Sequence, residues 1–371
     1  MKKVSLGRFA KGVLATAPVI GLAAALTVAT PSDARAGHQW MSQSGSVGYH
    51  LKRVDVDPLV LRVQDNHDFY VGEAYTVDWP AIFQTVIADW SESDQISPTV
   101  IGGYGGLYLD LSAVNKGKTH IKSYNGYYGD TGWLGIAFIS IGDFEGHIRS
   151  GEAYVNEFYI EDFYWPDGGS QYTGFNEPDE WQGVMCQEIG HEFGLDHTDG
   201  DTCMNTGARE PMNDTPNDHD AEQLTEMMHD HGDGGTTDDV VKLCNKKGKP
   251  AGCVQGTRQG RAVWAEQYQT EVEMFDAADL IVGATVLNGS SFDHTVGRAG
   301  RALPVSRVVL RVSDWIKGDS GRVIVLEQTR GLGLELVDDP GYVSGDDYVL
   351  YLRETDTNSY RTVNPDGRIL Q

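Results

Sequence analysis

Gln187, Glu188, His191 and His197 are the residues whose types and spacing could do chemistry, and all four fall in the stretch CQEIGHEFGLDHTDGDTCM from Cys186 to Met204. Gln187 and His191 are four apart, so on a helix their side chains share one face, about one turn from each other. Gly194 then lets the chain turn sharply, so that His197 can return to the same point. Three ligands would stand on one side of a metal ion, with a fourth position open to water. Glu188, one residue along the helix, would lie beside that open position. There it could take a proton from an attacking water and later pass it to a leaving amine. Met204, seven residues after His197, suits an apolar turn underneath such a site.

These side chains need a helix that ends at a glycine stop, and the pattern predicts one from Pro178 to Phe193, closed by Gly194. An earlier helix is predicted in DWPAIFQTVIADW, where Trp79, Ile82, Phe83, Val86, Ile87 and Trp90 recur at helical spacing behind an Asp78 N-cap and Pro80 in the first turn. A third starts near His219. Strand-like runs at Thr99 to Ile101, Leu107 to Leu111, Thr119 to Ser123, Trp133 to Ile141 and Ala153 to Ile160 supply a sheet. After a stretch rich in glycine and charge, AVWAEQYQTEVEMF reads as helix-like. ADLIVGATV, VSRVVLRVSDWI, RVIVLEQ and DDYVLYLRE then read as strands.

The chain has 371 residues and 40% hydrophobic content, enough to fill the cores of two domains. Its formal charge of −25 argues against nucleic acid as a partner. The first residues combine a basic start, an apolar run from Gly12 to about Thr30 and the triplet Ala34-Arg35-Ala36, which reads as a signal peptide cut after Ala36. Pro18 interrupts the run and no later segment is apolar for long enough to span a bilayer, so the expectation is a secreted monomer with no stable membrane insertion. Most of the acid lies between Gly37 and Cys253, as a solvated surface or as clustered sites for structural Ca²⁺. The four cysteines are compatible with two disulfides in three pairings. Cys244 and Cys253 would close a local loop around NKKGKPAG, which leaves Cys186 with Cys203 and ties the motif helix to the segment holding Met204.

Gln187-Glu188-Ile189-Gly190-His191-Glu192-Phe193-Gly194-Leu195-Asp196-His197, followed by Met204, resembles the H-E-x-x-H-x-x-G-x-x-H signature and Met-turn of the metzincins, especially the matrixins. TGWLGIAFI and AYVNEF look like the sheet that leads into that helix, and the likeness covers about Trp40 to Asp230. It implies a zinc-dependent endopeptidase with Glu188 as general base, Gln187, His191 and His197 as ligands, and a cleft along an edge strand where a protein or peptide substrate lies extended. The implied fold class is α+β: a metzincin-like catalytic domain with a twisted mixed sheet and three helices, followed by a small all-β barrel or sandwich. The corresponding boundaries are 1–36 for the signal peptide, 37–232 for the metallopeptidase domain, 233–257 for a linker with its disulfide loop, and 258–371 for a β-rich accessory domain. The strand order of that last part resembles, at low specificity, the netrin-like OB barrel also used by tissue inhibitors of metalloproteases; an immunoglobulin-like sandwich is the alternative.

Two departures from the family pattern matter. Matrixins are often held latent by a propeptide thiol, yet no cysteine precedes Cys186. Gln187 stands where the first histidine ligand belongs, and an amide oxygen is a harder, weaker donor for zinc than imidazole. Three readings follow. Gln187 ligates zinc in an active enzyme; His191 and His197 hold it with Asp199, Asp201 or water while Gln187 only orients; or the domain is a catalytically inactive binder of peptide or surface polymer. Weaker candidates are His229-Asp230-His231, read as an acidic tail, the run Asn213 to Asp220, which lacks EF-hand spacing, and His120 and His147, which match no structural-zinc pattern. Exchange of a direct ligand should cost at least ~1.4 to 2.7 kcal/mol. Gln187→His should therefore tighten zinc binding by roughly 10- to 100-fold in competition against a chromophoric chelator; unchanged affinity would assign the third donor elsewhere.

Overall fold

WLGIAFISI, from Trp133 to Ile141, has no polar alternation, which is the mark of a strand covered on both faces. The computed structural model describes residues 38–41, 48–51, 59–71, 76–93, 96–100, 120–141, 146–159, 178–205, 213–229, 258–265, 268, 270–297, 302–355 and 357–371. The stretch read as a signal peptide, the strand expected at Leu107 to Leu111, the stretch read as a linker with Cys244 and Cys253, and Asp230 and His231 lie outside them. The first part of the chain forms β1 (His50–Leu51), β2 (Leu59–Asp65), β3 (Tyr70–Val71), β4 (Thr76–Val77), α1 (Trp79–Trp90), β5 (Ile96–Val100), β6 (His120–Gly126), β7 (Trp133–Ile141), β8 (His147–Asn156), α2 (Pro178–Glu192) and α3 (Asp218–His229). There follow β9 (Arg258–Trp264), α4 (Glu271–Ala277), β10 (Leu280–Val296), β11 (Leu303–Lys317), β12 (Val323–Thr329), β13 (Leu334–Leu336), β14 (Asp347–Glu354), β15 (Tyr360–Thr362) and β16 (Arg368–Leu370). Helices and sheets are segregated, so the fold is of the α+β kind.

Eight strands form a mixed sheet in the order β13-β9-β7-β8-β6-β2-β5, with β1 alongside β8. β8, β6, β2 and β5 run parallel, whereas β7 is antiparallel to both β8 and β9. One core joins Leu134 and Ile139 of β7 to Trp79, Phe83 and Trp90 of α1, and to Val184, Ile189, Phe193 and Met204. A second core gathers Trp133, Ile136 and Phe138 of the same strand with Tyr154, Ala262, Leu303, Leu334 and Leu336. β7 thus contributes to two cores, which accounts for its unbroken apolar run. β3 and β4 form a separate two-stranded sheet, and the six other strands pair as β10-β11-β12-β15-β14-β16 with β14 pairing back onto β10, so this sheet closes into a barrel rather than opening as a sandwich. Leu280, Val282, Leu310, Leu326, Leu350 and Leu352 fill it.

Several predicted elements are found with their expected ends. Asp78 caps α1 by accepting from the Ala81 amide at 3.1 Å, and Gly194 stops α2 at φ 99° with the Tyr49 carbonyl where a Cβ would go. Two expectations need correction. AVWAEQYQTEVEMF is not one helix: Arg258–Trp264 is strand β9, paired to β7, and among its described residues the helix is Glu271–Ala277 behind the Thr270–Glu273 capping box. Ala262 and Val263 are withdrawn into the two cores on either side of the sheet, and that burial outweighs local helix propensity. The strand expected at Ala153 to Ile160 begins earlier and ends at Asn156, whose Oδ1 accepts from the Tyr128 and Phe158 amides at 3.0 and 3.2 Å and turns the chain.

The segment from His38 to Trp40 is strapped onto the turn after α2. The Trp40 amide donates to Gly194 O at 2.7 Å, the Asp196 amide to His38 O at 2.5 Å, and His38 pairs with Asp220 of α3 at 3.2 Å. Burial works to lower the His38 pKa, but Asp220 and the Asp196 carbonyl outweigh it and hold the imidazolium above its usual range. A pKa raised on folding contributes stability that is complete below the unfolded value of about 6.5 and is lost as pH rises through the folded value. In urea titrations, His38→Gln should flatten the fall in stability from about pH 6.5 upward.

Candidate metal centre

α2 carries a run of polar residues into the interior: Gln187, Glu188, His191 and Glu192 are all 0% exposed. They occupy two faces. Glu188 and Glu192, four apart, pack onto the sheet where Gly135 of β7 and Gly151 of β8 leave room; a Cβ at either glycine would collide with the facing carboxylate. Gln187 and His191 share the neighbouring face. Below them a Cβ on Gly190 would strike the Met204 sulfur and the Trp90 ring, so Met204 sits directly beneath the helix.

The glycine stop returns His197 to His191. The two Nε2 atoms stand 3.0 Å apart. His191 Nδ1 meets Leu195 O at 2.9 Å, which commits Nδ1 as the donor and leaves a lone pair on Nε2. Burial first, and then the neighbouring His197, push the His191 pKa well down. Burial outweighs Asp196 and pushes His197 down to about 4, so both rings are neutral at physiological pH, the form a metal binds. Gln187 donates through Nε2 to Asn205 O at 2.7 Å, and its Oε1 is buried with no hydrogen-bond partner. A buried acceptor without a donor costs about 1–3 kcal/mol.

These groups fit a zinc ion. Two nitrogens on one tetrahedral zinc stand about 3.3 Å apart, close to the spacing found here. The orphaned amide oxygen is on the same helical face. Among the described residues no group of three His, Cys, Asp or Glu side chains gathers around a common point. Asp199 and Asp201 therefore do not complete the histidine pair: Asp199 is exposed, and Asp201 accepts from Asn213 Nδ2 at 3.0 Å. Among the described residues this leaves Gln187 as a protein donor that could.

Glu188 has its pKa pushed well above the carboxylate range by burial, with Asp338 adding to it and the Val263 amide, short of hydrogen-bond geometry, opposing it. Glu192 is raised likewise, by burial and then by Glu152 and Glu188. The turn beyond His197 is held by Thr198 N to Met204 O at 2.9 Å and by the Cys186–Cys203 disulfide. Within the acidic run, Asp220 accepts from the Asn217 amide at 2.9 Å and from the Thr202 hydroxyl, and pairs with His38. His147 stacks edge-on with His50 at 4.9 Å; the His120 and His229 side chains lie outside the described residues.

Sequence reasoning missed three neighbours. Trp40 stands edge-on to His191 at 5.9 Å. Arg261 of β9 bonds Asp196 Oδ2 at 2.6 Å, pairs with Asp338, and lies 5.7 Å from the Trp40 ring centroid. Glu192 was visible only as part of the motif; Gly151, which faces it from the sheet, is a tertiary signal. No family model and no curated protein matches this chain.

The disulfide closes a loop with a sequence separation of 17 residues. Cys203→Ser should lower unfolding stability by roughly 3 kcal/mol in chemical denaturation. It should also weaken zinc retention, because the bridge ties the Gln187 helix to the turn whose Asn205 carbonyl orients that amide.

Proposed function

We propose that this chain is an exported zinc-dependent endopeptidase of metzincin type, hydrolysing a protein or peptide substrate with Glu188 as general base. What supports this is a pair of imidazole nitrogens 3.0 Å apart, together with a buried, unpartnered amide oxygen four residues before His191 on the same helix. Gln187, His191 and His197 would hold the metal, which when bound polarises a peptide carbonyl and acidifies water. Leu195 O fixes the His191 tautomer and Asn205 O orients Gln187, so the chain commits its other donors away from the metal side. Glu188, beside Gln187 on the same helix, would take a proton from the attacking water and return it to the leaving amine.

A second reading, a secreted binding protein that does not cut, has an observation in its favour: three of the four groups are wholly withdrawn from solvent. Metal analysis of the purified protein, combined with casein cleavage, separates the two. Under the peptidase reading zinc is stoichiometric and Glu188→Ala lowers kcat by roughly 10²- to 10⁴-fold. Absent zinc and equal cleavage by both proteins would leave the binding reading.

A further inference from the structure

We propose that β9, Arg258–Trp264, is an internal occupant of the peptide groove, a strand of the chain's own that keeps the site shut until it is displaced. The proposal rests on the peptidase reading for what the groove serves, and on geometry for what fills it. β7 pairs with β8 on one side. Its other side would be an open edge without β9, and an open edge takes up an extended peptide by main-chain hydrogen bonds. β9 makes that pairing from within, antiparallel, with Trp264 opposite Trp133 and Arg258 opposite Ser140.

Its side chains are anchored at the site itself. Val263 is buried and its amide approaches the Glu188 carboxylate. Arg261 reaches Asp196, the residue before His197, at 2.6 Å; it also pairs with Asp338 and covers Trp40, which in turn borders His191. Gln187, Glu188 and His191 are 0% exposed with this strand in place, so a substrate carbonyl has no route to them. Beyond β7, β9 pairs in parallel with β13 over three residues, with the Val337 amide donating to Gly260 O at 3.0 Å and the Arg258 amide to Gly333 O at 2.8 Å; its displacement would break these bonds and the β7 ladder but none of the pairings that close the barrel. This supplies the latency for which the sequence offers no inhibitory thiol.

The test uses the full mature chain and a fluorescein-labelled peptide RQGRAVWA, copying residues 258–265, with binding read by anisotropy in a Glu188→Gln background. Arg261→Ala removes the anchor to Asp196. Gly260→Val, whose side chain would meet the Phe138 ring and Leu336, wedges the strand off independently. Each variant should bind the peptide at least tenfold more tightly than the Glu188→Gln parent, and with Glu188 restored each should cleave casein with kcat/KM raised at least tenfold at unchanged zinc content. Equal peptide affinity in all three proteins, or no binding by either folded variant, overturns the proposal. Glu188-dependent cleavage that neither variant changes also overturns it and leaves the peptidase reading standing. Tighter peptide binding with no cleavage in any protein upholds the occupied groove and removes the peptidase reading instead.

Discussion

Burial of Gln187, Glu188, His191 and Glu192 on α2 is the constraint from which most of the architecture follows. Each polar group taken from water without a partner costs about 1–3 kcal/mol, and a charged one more, so a helix of this composition does not enter a core for stability. The chain meets the cost in three ways. Gly135 and Gly151 open the sheet beneath the two carboxyls. Raised proton affinities keep those carboxyls neutral over a wider pH range. Backbone carbonyls at Leu195 and Asn205 take the donors of His191 and Gln187. The Gln187 oxygen is left unsatisfied on the helical face it shares with His191, whose Nε2 meets that of His197.

Distant parts of the chain are drawn in to hold that arrangement. The His38–Trp40 segment lies along the turn at Gly194, with hydrogen bonds on both sides of it. The disulfide holds the Met204 turn against the underside of α2, where Gly190 lets the sulfur approach. β9 comes from beyond residue 257 and closes the far side, with Arg261 joined to the turn through Asp196. β7 is therefore shared by both halves: α2 covers one face, and Leu303, Leu334 and Leu336 cover the other. That sharing also makes residues 37–371 a single contact unit.

Much of this was legible in the sequence, wherever a local rule suffices. The α1 N-cap, the α2 stop at Gly194 and the whole of β7 depend on residues adjacent in the chain or at helical spacing. The register of Gln187, His191 and His197 follows from 3.6 residues per turn and one left-handed glycine. The Cys186–Cys203 pairing followed from elimination, and it forms. β9 was misread because RQGRAVWAEQYQTEVEMF carries helix-forming residues and no clean alternation; it is a strand because β7 offers it a ladder and two cores bury Ala262 and Val263.

By itself the sequence determined that Gln187 and His191 share a helical face, that a glycine turn brings His197 back to His191, and that the first of the three is an amide instead of an imidazole, since helix periodicity and a glycine turn require no distant partner. Only the tertiary structure decided that Gln187 has its nitrogen spent on Asn205 with its oxygen left over, that the apolar strand opposite α2 is closed off by β9, and that five strands of the C-terminal part meet in a barrel. Those outcomes turn on competition among segments for the same edges and hydrogen-bond partners, and such competition is settled by packing across the whole chain.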